Sequence, residues 1–109
     1  MSKTQAEFSP DFFRSLFGAA PDEWKGFLEV SVRAVEEAQA KLDKAMEAGD
    51  AISLSETRHS IGPSLTQWGA TSLESGLRGL TPAQVAIWTS LSGEFDALIG
   101  CLKRLQSEP

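Results

Sequence analysis

Asp50-Ala51-Ile52-Ser53-Leu54-Ser55-Glu56-Thr57-Arg58-His59-Ser60-Ile61-Gly62-Pro63-Ser64-Leu65-Thr66-Gln67-Trp68 is the stretch whose reading decides the architecture. Leu54, Ile61, Leu65 and Trp68 recur at spacings of seven, four and three, which is one apolar stripe on a helix. Each helical residue turns about 100° around the axis, so His59 lies roughly 120–180° from every member of that stripe. Thr66 and Ile52 fall within about 20° of His59, Pro63 and Ser55 within about 40°, and Gly62 and Glu56 about 60° to either side. His59, the only histidine, therefore stands on the outer face. Small residues surround it there, and Glu56 is the only nearby charge on its own helix. A bare helix surface of this kind suits a partner that must approach the imidazole closely.

Working outward, the rest of the chain reads as further helices with clear punctuation. Gly49 stops the preceding helix and Asp50 caps this one. That preceding helix opens at Pro21-Asp22-Glu23, with acids where the helix dipole favours them. Its buried stripe is Leu28, Val35, Ala38, Leu42 and Met46, widened near the start by Trp24 and Phe27. The histidine helix runs from about Ala51 to Trp68, and Gly69 leads into a shorter helix around Leu73 and Leu77. Thr81-Pro82 reads as a cap with proline in the first helical position, opening the last helix. In that helix Trp88, Leu91, Phe95, Leu98, Leu102 and Leu105 alternate spacings of three and four as in a heptad seam. Ser9-Pro10 and Gly18 bound a short segment bearing Phe12, Phe13, Leu16 and Phe17, which reads as a lid over one end. The expected fold is all-α: an antiparallel four-helix bundle with a short extra N-terminal helix. A flexible tail is expected over 1–8 and a single domain over 9–107.

Composition narrows the function. The chain has 109 residues, 41% hydrophobic and 23% charged, with a net charge of -5, as expected of one ordinary soluble domain. The acidic balance, with no cluster of Lys and Arg, argues against nucleic acid as a partner. Cys101 is alone, so no internal disulfide forms and a reducing compartment, the cytoplasm, is expected. One histidine and one cysteine do not make a zinc site of the usual kind. No N-terminal signal pattern stands out, and no apolar run is expected to span a bilayer. There is no GxxxxGK[ST] loop to cradle a nucleotide, and no strand-turn-helix elbow around a serine.

The histidine segment resembles the histidine-containing phosphotransfer (HPt) family. That family's motif runs approximately His-x-Leu-Lys-Gly-Ser-x-x-x-x-Gly on the second helix of a four-helix bundle. His59, Ile61 in the leucine place, Ser64 and Gly69 match it in register. Gly62 stands where the family has lysine, and Pro63 where it has glycine. The resemblance spans roughly residues 24 to 105.

The resemblance implies a phosphorelay carrier rather than a turnover enzyme. His59 would be the phosphoacceptor, and Ser55, Glu56, Arg58, Gly62, Pro63 and Thr66 the docking surface around it. The partner would be a response-regulator receiver domain, with a hybrid histidine kinase as a further partner and a monomer as the carrier's state. No cofactor is expected on this chain; Mg²⁺ would come with the receiver. The family's lysine is thought to offset phosphoryl charge, which Gly62 does not do. Arg58, and Arg33 or Arg78 from neighbouring helices, are the candidates to replace it. The alternative is a degenerate module that docks a receiver domain or another regulator without taking phosphate.

Gly62-Pro63 also has a local consequence. Pro63 has no N–H, so the His59 carbonyl loses its intrahelical bond, and the ring crowds that carbonyl. Glycine before it softens the clash. Because Pro63 is on the outer side, water can take the freed carbonyl and the helix bends convex toward solvent.

Overall fold

Two glycines with left-handed backbone, Gly49 at φ 66° and Gly69 at φ 81°, set two of the corners. Both close their helices in the same way. Asp50 N–H donates to the Ala45 carbonyl and Gly49 N–H to that of Met46; Ala70 N–H donates to Leu65 and Gly69 N–H to Thr66. These paired bonds are Schellman closures, which need a residue tolerant of positive φ at the corner. Asp50 then serves the next helix as well: its carboxylate accepts from the Ser53 N–H at 3.0 Å and from the Ser53 hydroxyl at 2.7 Å. One turn thus ends a helix and caps its successor, which folds the two into a hairpin.

The computed structural model describes residues 21–107. Among them the chain forms α1 (Pro21–Ala48), α2 (Ala51–Gln67), α3 (Thr71–Arg78) and α4 (Val85–Ser107), with no strand. The expected tail over 1–8 and the short helix before Gly18 lie outside the described residues. Neighbours pack as α1 on α2, α2 on α3, α3 on α4 and α4 back on α1. The side-chain contacts fix the directions. Trp88 Nε1 donates to Asp43 and Gln39 Nε2 to Asp96, while Lys103 pairs with Glu36, so α4 descends as α1 rises. Arg58 reaches Leu77 and Leu80, and Gly62 faces Glu74, so α2 and α3 are antiparallel too. The expected four-helix bundle is present.

Its core is the set of stripes read from the sequence. Leu28, Val35, Ala38, Leu42 and Met46 of α1, Leu54, Ile61 and Leu65 of α2 with Trp68 at its end, Leu73 and Leu77 of α3, and the α4 seam are all buried. Val32 and Ala45 join them. Ser31 is the buried polar residue of this region, and its hydroxyl is satisfied by the Phe27 carbonyl at 2.9 Å. Gly76 lets α3 approach α4 closely: a Cβ there would stand 2.5 Å from a Leu91 methyl.

Two expectations need correction. The last helix begins at Val85, three residues beyond Pro82. Thr81 to Gln84 instead forms a turn, with Gln84 N–H donating to the Thr81 carbonyl at 3.0 Å and Thr81 N–H to Gln84 Oε1 at 2.9 Å. The second bond is half of a capping box, so Thr81 and Pro82 start the turn that leads into the helix. Second, α4 is long and apolar enough, by length and composition, to cross a membrane. Here its apolar seam, Trp88 through Leu105, is buried against the bundle.

Candidate functional site

The site is built on α2, and its shape follows from what that helix lacks. His59 is exposed. Among the described residues its side chain has no hydrogen bond or ion pair, so its ring nitrogens face solvent. Pro63, Thr66 and Ile52 are exposed beside it, with Ile52 at 72%. Gly62 is half-buried, and a Cβ there would meet only Glu74 Oε2, at 3.9 Å. Thr66 turns its hydroxyl back onto the Gly62 carbonyl at 3.2 Å, a bond that favours bending. Pro63 lies inside α2 and is exposed, on the outer side of the helix.

The expected docking residues divide in two. His59 and Gly62 share a depression of about 330 Å³ between α2 and α3, lined also by Arg58, Glu74, Leu77 and Arg78. Glu56 and Ser60 instead line a larger groove, about 710 Å³, between α1 and α2, and that groove does not include His59. Glu56 thus lines the neighbouring groove and not the depression that holds His59. The charges there come from Arg58 and from α3.

Arg58 has a structural occupation. Its guanidinium donates to the Leu80 carbonyl at 3.1 Å and the Leu77 carbonyl at 3.4 Å, with a third, longer contact to Ser55 Oγ at 3.5 Å. It closes the C-terminal end of α3, where a cation is favoured by the helix dipole. Ser55 is half-buried beneath it. Arg33 is turned away on α1, paired with Glu29 at 3.5 Å.

Arg78 is different. Its Nε and one terminal nitrogen grip the two oxygens of Glu74 at 2.8 and 2.7 Å. The guanidinium beside Glu74 lowers that carboxyl below its ordinary value, and the carboxylate in turn raises Arg78. The Arg78 side chain is 73% exposed and that of Glu74 16%, so the acid is tucked against Gly62 and the cation is presented outward. The sequence held a clue, because glutamate four residues before arginine favours pairing on a helix.

Among the described residues no group of three His, Cys, Asp or Glu side chains is placed to hold a metal ion. No family model and no curated protein matches the chain. Among solved structures, the fold matches the crystal structure of histidine-containing phosphotransfer protein B (HptB) from Pseudomonas aeruginosa PAO1. The TM-score is 0.57 and the identity 26%, over 93% of this chain and 85% of that one. The chain is similar to a histidine phosphotransfer protein. This likeness, carried by the fold and extending over most of both chains, supports the HPt family.

Proposed function

We propose that this chain is a phosphoryl carrier of a two-component phosphorelay, with His59 as the acceptor. The observation that carries the reading is the state of His59: exposed and unpartnered, in a clearing of small residues on the second described helix of an HPt-like bundle. The lone pair of an imidazole nitrogen can attack an electrophile directly, so the acceptor needs no separate base beside it.

In the proposed reaction a receiver domain brings a phospho-aspartate over the clearing. Nε2 of His59 attacks phosphorus, an N–P bond forms, and the P–O bond to the aspartate breaks. The carboxylate oxygen leaves with the electron pair, and the proton stays on Nδ1 of the ring. The reverse step loads a second receiver. The receiver supplies Mg²⁺, and this chain supplies the nucleophile and an unobstructed approach, so it has no turnover of its own. Residues 52, 62, 63 and 66 form the rim that the receiver would cover. A cytoplasmic monomer fits this role.

The test is transfer of label from several receiver domains, phosphorylated with acetyl phosphate and Mg²⁺, to wild type and to His59→Ala. Acid-labile, base-stable label on wild type alone is the expected result. Equal label on both proteins sinks the proposal, and so does receiver binding with no label on either. The latter would identify a docking module that takes no phosphate.

A further inference from the structure

Resting on the phosphocarrier reading, we infer that Arg78, seated by Glu74 on α3, is the positioning cation for the phosphoryl group on His59. It would fill the role that a lysine at position 62 would otherwise hold.

Four observations converge. Arg78, Glu74, Gly62 and His59 line one depression. The missing side chain at Gly62 leaves that depression open, with Glu74 Oε2 the nearest atom to the absent Cβ. Glu74 engages Arg78 through Nε and one terminal nitrogen only. A guanidinium has five N–H donors, so three remain without a protein partner among the described residues. Finally, the rivals are occupied: Arg58 by the carbonyls of Leu77 and Leu80, Arg33 by Glu29 on another helix.

The electrostatics favour the arrangement. A phosphoryl group entering the depression brings negative charge toward the Glu74 carboxylate. Without Arg78 that carboxylate would oppose it. With Arg78 in place, its guanidinium offsets the Glu74 carboxylate and presents its remaining donors outward. The bidentate grip also restricts the long arginine side chain before the phosphoryl arrives, so less freedom is lost when it turns its remaining donors to the new anion. Arg78 touches neither reacting atom of the ground state; it acts on the charge that develops around phosphorus.

The experiment is rapid-quench transfer from a receiver domain phosphorylated with acetyl phosphate, run on folded variants verified by circular dichroism. Arg78→Ala is expected to slow transfer about ten-fold, the size of one partly screened charge-assisted contact. The decisive variant is Arg78→Ala combined with Gly62→Lys, because position 62 has open space for a side chain. Recovery of most of the lost rate in that double variant is expected, and a merely structural role for Arg78 would not produce it. Arg78→Ala transferring within two-fold of wild type overturns the inference and leaves the carrier reading standing; a slow variant that Gly62→Lys does not rescue also overturns it. Wild type that takes no label overturns both.

Discussion

Arg58→Ala separates a structural arginine from a docking one. The wild-type guanidinium donates at 3.1 Å to Leu80 and at 3.4 Å to Leu77, with Ser55 Oγ at the margin. Leu77 is in the last turn of α3, which has only eight residues, and Leu80 lies two residues beyond its end. A helix that short does not persist on its own propensity, so its end bonds matter. A hydrogen bond from a charged donor is worth about 1.5–3 kcal/mol when lost. One bond here is well formed and the others are long, and water can reach the carbonyls once the side chain is gone. We therefore expect a loss of about 2 kcal/mol. For a domain of this size each kcal/mol moves Tm by about 4–8 °C, so Tm should fall by about 8–16 °C. Urea denaturation should show a lower midpoint with an unchanged slope. Arg58→Lys, with one compact ammonium, should recover only part of the loss. Transfer to His59, measured well below the new Tm, should stay within about three-fold of wild type, because the lost bonds serve α3 and leave the acceptor untouched. An unchanged Tm with transfer abolished would refute this reasoning and return Arg58 to the docking surface.

Pro63→Ala restores an N–H opposite the His59 carbonyl and removes the ring's crowding. Interior proline costs about 3 kcal/mol relative to alanine in a helix, and the glycine before it relieves part of the clash, so a gain of about 2 kcal/mol by thermal or urea unfolding is expected. A neutral or destabilising result would mean that the ring's packing outweighs the missing bond. Asp50 gives a pH signature. Hydrogen bonds from the Ser53 backbone and hydroxyl hold its carboxyl below its ordinary value. A depressed folded-state pKa adds stability that is present above the unfolded pKa and is lost as pH falls through the folded one. Asp50→Asn keeps a good cap but cannot titrate. Its Tm should match wild type near pH 7 and fall less between pH 5 and pH 2, and superimposable acid profiles would contradict the assignment.

The bundle was legible because its punctuation is local. Gly49, Asp50 and Gly69 announce corners through conformational freedom and capping, and the leucine stripes announce faces through periodicity. What escaped depends on how helices sit against one another. Arg58 and His59 are adjacent, yet one faces α3 and the other solvent; the helical wheel gives their separation of about 100° but not where a neighbour's C-terminus lies. Glu74 was missed at the site for the same reason, since its place beside Gly62 follows from the register of α3 on α2. The Gln39 side chain, bonded across to Ser92 and Asp96, is another long-range contact with no local sign. The late start of α4 reflects Gln84 turning its amide back to Thr81, which a rule matching threonine and proline alone overlooks.

The composition of α2 makes sense only as a division of labour between its two faces. Gly62 and Pro63 are the two poorest helix formers, worth together about 4 kcal/mol against alanine. A helix chosen for propensity would carry neither. On the opposite face Leu54, Ile61, Leu65 and Trp68 are all at least 94% buried. Burying side chains of that kind stabilises by about 1.5–3 kcal/mol each, so the inner face alone more than offsets the outer one. The inner face makes α2 a helix, and the outer face is released from that duty. It can then be shaped for access, with glycine, proline and threonine in places where longer side chains would otherwise screen the imidazole. The same release leaves position 62 without a cation, and a phosphoryl group would then meet whatever charge the next helix presents. On this bundle that charge is the Glu74–Arg78 pair.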